Sequence, residues 1–460
     1  MNKVTKKINI HFIGIGGIGM SGIAEIMYDL GYLIQGSDIS TSENVNRLKK
    51  KGIKIFQKHN SKNLKNVDAV VFSSAIKKNN IEIVESKKRK IPLISRADML
   101  AELMKNKKSI AIAGSHGKTT TTSMIGNILD FSKFDPTIIN GGIINTYSKN
   151  NKLGKGPWMV AEADESDASF LKLPHQISII TNIDIEHLDF YKTKKNLLKS
   201  FENFILNLPF YGVSIVCYDD ENLKQIIKKI KTRNIITYSI KSKKSDVFID
   251  RVRNDKFFTF FRINFNKKIL NYKGSYNFKI SALGNHNILN GSASILASIF
   301  AGVKIKSIKK SLENYNGVKR RFTLIGEKKN YKVYDDYAHH PTEIKATLDT
   351  ANIISKDVHV VFQPHRYSRT KLLINDFVKI LSKIKNLYLV KTYPAGEKII
   401  KGFESKDLFK RLQKYNKKII YLESELNLEK VIIKSRKKNS IIIFMGAGSI
   451  SKIANKYINK

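Results

Sequence analysis

The run Ser109-Ile110-Ala111-Ile112-Ala113-Gly114-Ser115-His116-Gly117-Lys118-Thr119-Thr120 decides how this chain is read. Residues 109–113 are small or apolar and suit a buried strand, a glycine-bracketed turn follows, and residues 121–129 continue as a helix. Strand, turn with Gly-Lys-Thr, and helix together make the setting of a phosphate loop. Backbone N–H groups and the helix N-terminus face the anion, Lys118 neutralises it, and Thr119 is placed to ligate Mg²⁺. The strict spacing Gly-x-x-x-x-Gly-Lys-Thr is not met, because Ile112 occupies the first glycine position. The expected ATP contacts are Gly114, Ser115, His116, Gly117, Lys118, Thr119 and Thr120.

A second glycine turn lies upstream. Residues 8–13 read as a strand, Gly14-x-Gly16-x-x-Gly19 follows with Gly17 inside it, and a helix runs from about residue 21 to 30. Asp38 stands about 20 residues on, which completes a dinucleotide fingerprint. Alone it is the mark of an NAD-dependent oxidoreductase, yet the pyrophosphate of any nucleotide suits such a turn, since a helix N-terminus recognises charge and not nicotinamide. Residues 32–35 and 69–72 read as further strands, the second ending at Ser73-Ser74. The basic stretch Lys105-Asn106-Lys107-Lys108 reads as a linker.

Beyond the phosphate loop, residues 158–161 and 177–181 read as buried strands that end in acids. Glu162, Asp164, Glu165 and Asp167 follow the first; Asp184, Glu186, His187 and Asp189 follow the second. Carboxylates beside a phosphate loop suit a hard divalent cation, although a solvated loop accounts for either group alone. Residues 246–265 place phenylalanines among charges, as antiparallel strands of a small side sheet do. Asn285-His286-Asn287 and Asn290 open a helix of small residues, where capping and ligand contact fit equally. From about residue 318 strands recur at 331–334, 359–362, 387–390 and 441–445, each ending in a polar or glycine-rich loop, the place where open α/β sheets bind ligands. His339 and His340 precede Pro341, which starts a helix, and adjacent side chains point apart, so a shared metal is not expected. Arg366 and Arg369, at i and i+3, would share one side of a helical turn and clamp a carboxylate or phosphate. The expected fold is α/β throughout, with three α/β domains over residues 1–106, 107–317 and 318–460 and mostly parallel, doubly wound sheets.

Composition narrows the classes. A chain of 460 residues with 42% hydrophobic content can bury more than one core. No apolar run approaches the roughly 18 residues a membrane span needs. The basic start, Met1 to Lys7, leads into an apolar stretch that glycines interrupt, which suits a strand and turn better than a signal peptide. A lone cysteine, Cys217, excludes an internal disulfide, and the cytoplasm is the simplest location. The net charge of +43 is spread from end to end, so it reads as a compositional bias; a nucleic-acid footprint would form a stripe or patch. No specific nucleic acid and no membrane partner is expected, and nothing in the sequence bears on oligomeric state.

The motifs, taken in order, resemble the Mur ligases. The matching strings are Gly14-Ile15-Gly16-Gly17-Ile18-Gly19-Met20-Ser21-Gly22, residues 114–122, Ala161-Glu162-Ala163-Asp164-Glu165-Ser166-Asp167, Thr181-Asn182-Ile183 with His187, Gly284-Asn285-His286-Asn287, Arg320-Arg321-Phe322, residues 335–341, and His365-Arg366-Tyr367-Ser368-Arg369-Thr370. Ser115 stands where the family usually has Thr. The resemblance implies an ATP-dependent, amide-bond-forming ligase of cell-wall (peptidoglycan) precursor synthesis, with UDP-N-acetylmuramate and L-alanine as substrates and ATP and Mg²⁺ as cofactors; a related ligase that attaches a tripeptide to the same sugar nucleotide is the near alternative. It implies a first domain for the UDP-sugar, through Gly14, Gly16, Gly17, Gly19, Asp38, Ser73 and Ser74. It implies Thr119, Glu162 and His187 at the metal, and Asn287, Arg321 and Asp336 as nucleotide contacts. His339, Arg366 and Arg369 would meet the amino acid, and Lys118, Glu162, His187, His339 and Arg366 would carry the catalysis. It also implies closure of the last domain about residues 316–319, to exclude water from an acyl phosphate.

Overall fold

The structure is a computed structural model describing residues 7–424 and 428–459. All of the basic start but Lys7 lies outside the described residues. The chain divides into two compact units, one of Met1–Val252, Phe260–Ser281 and Asn287–Asn316, the other of Arg253–Thr259, Ala282–His286 and Gly317–Lys460.

The first unit contains two sheets. Five parallel strands form one, in the order Lys54–Phe56, Leu33–Ser37, Asn9–Ile13, Ala69–Phe72 and Leu93–Ser95. The chain leaves Asn9–Ile13 on one side and returns on the other, so a crevice opens beyond its carboxyl end, where Gly14 and Ser73 stand. In the second sheet Lys108–Ala113 lies between Ile177–Ile180 and Trp158–Glu162, all parallel, with Ala113 opposite Ile180 and Ile112 opposite Glu162. Ile110, Ala111, Ile112, Met159, Val160, Ala161, Ile179 and Ile180 are fully buried, because helices cover both faces and leave no solvent side for polar residues. The aromatic-rich strands Val247–Asn254, Thr259–Ile269 and Tyr272–Ile280 are present, but they extend this sheet edge to edge instead of standing apart.

In the second unit Tyr331–Asp336, Ser440–Met445, Val358–Phe362, Asn386–Leu389 and Ile420–Tyr421 are parallel neighbours, with Thr323–Lys328 antiparallel at one edge. The core alternates strictly. Val360, Phe362, Ile441, Ile443 and Met445 pack on one face, while Val361, Ile442 and Phe444 pack on the other. Successive side chains of a strand point to opposite faces, so unbroken apolar runs mark a sheet with helices on both sides.

Candidate active site

The phosphate loop is fastened to the neighbouring strand end. Thr181 Oγ1 donates to the His116 carbonyl at 2.6 Å, Asn182 accepts the His116 N–H at 2.9 Å, and the Asn182 carbonyl accepts the Ser115 N–H at 3.0 Å. Ser115 Oγ accepts the Asp184 N–H at 2.8 Å, and the His116 ring meets Asp184 at 2.8 Å. Two glycines make this possible. Gly114 (φ 129°) passes so close to Thr181 that a Cβ would collide with its hydroxyl, and Gly117 (φ 86°) has Asn290 where its Cβ would be. Helix Lys118–Phe131 starts at once, so its first N–H groups, which have no intrahelical partner, open onto the loop.

Lys118 is mostly buried and pairs with Glu165 at 2.8 Å while donating to the Gly114 and Ser115 carbonyls. Burial opposes its charge, yet Glu165, Glu162 and Asp164 together hold the ammonium above its usual pKa. Glu165 is itself buried, and burial pushes its carboxyl up despite Lys118. Glu162 turns elsewhere and accepts the Gly141 N–H at 2.7 Å. His187 (φ 58°) caps the short helix Leu188–Tyr191, with its ring 3.6 Å from Glu186 and 3.8 Å from Glu165. Burial lowers its pKa. Glu162 and His187 both lie near enough to Lys118 to act on its charge or feel it, but the direct partner of Lys118 is Glu165. The sequence held four acids in six positions and gave no means of choosing among them.

At the first sheet, Gly14 (φ 75°) and Ile15 donate to the Ser37 carbonyl, and Ile76 packs on Gly14. Ser73 is half-buried and Ser74 exposed beside this turn. Gly16 has Val45 and Asp38 against it. Asp38, the acid of the fingerprint, is held within the turn. One of its oxygens accepts the Gly16 N–H at 2.8 Å and the other takes the Ser40 N–H and hydroxyl, so it shapes the turn. Gly17 caps helix Ile18–Asp29, and Gly19 leaves room for the Arg96 guanidinium, 3.1 Å from where its Cβ would stand.

The second unit gathers cations at its strand ends. His339 and His365 rings lie 5.8 Å apart, Arg369 donates to His365 at 3.0 Å, and Tyr393 stacks on His365 at 5.5 Å. Burial, then Arg369 and the other cations nearby, push His365 down to about 3, so it is neutral and accepts from Arg369. Arg366 and Arg369 do not form the expected helical pair. Helix Tyr367–Leu372 starts after Arg366, whose backbone (φ 69°, ψ 137°) is that of a turn, and its side chain faces Glu397 at 3.9 Å. The reason is the bridge between His365 and Tyr393, which sets the Arg366 N–H on the Tyr393 carbonyl at 2.9 Å. Asp336 is buried beneath the loop, where it accepts N–H groups of Phe322 and Ala338 and the Thr347 hydroxyl; burial pushes it up to about 6. Arg321 reaches Glu343 at 3.6 Å and lies over the Tyr337 ring. His340 caps helix Pro341–Ile354, and its N–H and that of His339 both donate to Glu343, at 3.4 and 3.1 Å. Asn287, in helix Asn285–Phe300, bonds Asn290 at 3.3 Å in the first unit.

Known proteins share this arrangement from end to end. Residues 9–108 match the sequence model of the Mur ligase family catalytic domain, 112–298 the Mur ligase middle domain, and 320–448 the Mur ligase glutamate ligase domain. A UDP-N-acetylmuramate–L-alanine ligase of Rickettsia typhi is 46% identical over 454 residues, covering 97% of this chain and 91% of that protein. One from Rickettsia bellii is 45% identical over 460 residues, 98% of this chain and 96% of its own. Among solved structures, the UDP-N-acetylmuramate-alanine ligase MurC of Thermotoga maritima superposes with a TM-score of 0.83 at 29% identity, with 98% of each chain covered. A murein peptide ligase of Psychrobacter arcticus shares the fold at a TM-score of 0.73 and 24% identity, also over 98% of each chain. With successive modules of one family matched in order along nearly all of its length, this chain belongs to the Mur ligases.

Proposed function

We propose that this enzyme joins L-alanine to the lactyl carboxylate of UDP-N-acetylmuramate at the expense of ATP, in the cytoplasm, as a step of peptidoglycan precursor synthesis. One observation carries the reading: the phosphate loop and its ring of acids share a compact unit with a glycine turn fit for a pyrophosphate, and relatives 46% identical over 97% of the chain bear the name of that activity.

In this reading, the N–H groups that open helix Lys118–Phe131 receive the ATP phosphates, and Lys118 moves from Glu165 to the phosphoryl group being transferred. The lactyl carboxylate oxygen attacks the γ-phosphorus, ADP departs, and an acyl phosphate remains. The amine of L-alanine then attacks the acyl carbon, loses a proton, and expels inorganic phosphate. Arg369, held by neutral His365, and Arg366 supply positive charge for the alanine carboxylate, with His339 beside His365. Mg²⁺ fits the first unit, since Glu162 and Glu165 surround the single ammonium of Lys118 while Asp164 also pairs with Arg96, which leaves carboxylate oxygens for a cation. Thr119 and Glu162 would give it the oxygen ligands a hard cation takes, with His187 as a nitrogen ligand. Bound there, it would offset charge on the phosphoryl group.

The test is phosphate release with UDP-N-acetylmuramate and, in turn, L-alanine, glycine, L-serine and a tripeptide. L-Alanine should give the highest kcat/KM; turnover with the tripeptide alone would assign the chain to the other ligase.

A further inference from the structure

Arg96 opens helix Arg96–Lys105 in the first sheet, yet its side chain serves two loops. Its guanidinium lies against Gly19, in the first turn of the helix that follows the glycine turn, and donates to Asp164 at 3.0 Å. Gly19 is commonly explained by close packing of helix on strand. Here the neighbour nearest the place of a Cβ is Arg96, with Nη1 at 3.1 Å and Cδ at 3.3 Å, a tight contact that ties the guanidinium to this turn. Asp164 sits between Glu162 and Glu165 in sequence, and it organises their turn: its side chain accepts the Ser166 N–H at 3.0 Å and its carbonyl accepts the Phe170 N–H at 3.1 Å. A fork-shaped cation thus touches the anion-binding start of one helix and the acid turn that surrounds Lys118.

We propose that Arg96 is a positioning residue that couples the sugar-nucleotide and ATP sites, so that occupancy of either strengthens binding at the other. A pyrophosphate at the Gly14–Gly19 turn would fix the guanidinium from one side while Asp164 fixes it from the other. The entropy of ordering Arg96 and the acid turn is then spent once for two ligands. The inference rests on UDP-N-acetylmuramate being the ligand of the first sheet.

The experiment is calorimetric titration of UDP-N-acetylmuramate with and without a non-hydrolysable ATP analogue and MgCl2, in the wild type, Arg96→Gln, Arg96→Lys, Asp164→Asn and the Gln/Asn double variant, each first shown to be folded by its thermal transition. The wild type should bind the sugar nucleotide at least about fivefold tighter with the analogue present. That factor should fall towards one in Arg96→Gln and in Asp164→Asn, fall no further in the double variant, and recover in part in Arg96→Lys. An unchanged factor in either single variant, losses that add in the double variant, or no coupling in the wild type overturns the inference alone. Absence of sugar-nucleotide binding in the wild type overturns the substrate reading as well.

Discussion

Lys118 Nζ and Glu165 lie 2.8 Å apart, with the lysine also donating to two carbonyls of its own loop. The ammonium is held by a carboxylate that burial makes a reluctant anion. Such a partner is readily exchanged for a stronger one. Lys118→Ala should therefore lower the rate of phosphate release by at least about 10²-fold, the scale of losing one preorganised charge contact. A near-normal rate in that variant would remove the loop from the mechanism.

Gly117 bears two separate constraints, a φ of 86° and Asn290 filling the place of a Cβ. Gly117→Ala meets both at once. It should cost about 1 kcal/mol or more of stability and weaken binding of an ATP analogue, readable together by thermal shift with and without nucleotide. An unshifted midpoint and unchanged affinity would show the loop to be less tightly held than these contacts require.

Glu25, almost fully buried in helix Ile18–Asp29, accepts from Lys149 at 2.9 Å and Asn151 at 3.1 Å, and lies 3.2 Å from Arg47 and Lys51. Burial alone would raise its pKa, but these partners outweigh it and hold it at about 2 instead of 4.5. The folded-state value is the lower one, so the stabilisation is whole above about pH 4.5 and is lost as pH falls towards 2. Glu25→Gln should lower the melting temperature near neutrality and narrow its difference from the wild type at pH 3. A difference that stays constant with pH would contradict the assignment.

Arg366 holds a backbone conformation (φ 69°, ψ 137°) that L-residues rarely adopt. Strain of this kind costs on the order of 1–3 kcal/mol and persists where function requires it. Arg366→Gly should raise the melting temperature while the KM for L-alanine climbs at least about tenfold, the scale of a lost charged hydrogen bond. A fall in stability would show that the conformation is not strained.

The sequence was most legible where chemistry sits at strand ends. The strand at 69–72 coincides with Ala69–Phe72, and residues 441–445 miss Ser440–Met445 by one position, because β-branched runs buried on both faces allow little else. The two-residue strand Ile420–Tyr421 and the three-residue Lys54–Phe56 are too short to show a strand period, although both are largely apolar. At the sites, residue types were readable and directions were not. Glu162 and Glu165 are three positions apart, and a turn fixed by Asp164 decides which of them meets Lys118. The spacing of Asp38 predicted its place at the turn but not that Gly16 and Ser40 would engage both its oxygens. The i, i+3 interval of Arg366 and Arg369 presumed a helix that begins one residue too late.

The stacking of Tyr393 on His365 reaches further than the two rings. Gly448 is pressed so closely to Tyr393 that any side chain at that position would displace the ring, and His365 in turn receives Arg369. The three loops form a mechanical train with no slack. If the alanine carboxylate binds at Arg366 and Arg369 as proposed, altered amino-acid preference would have to be bred through several positions together, and a selection that permits only one change at a time would find most intermediates worse than either end.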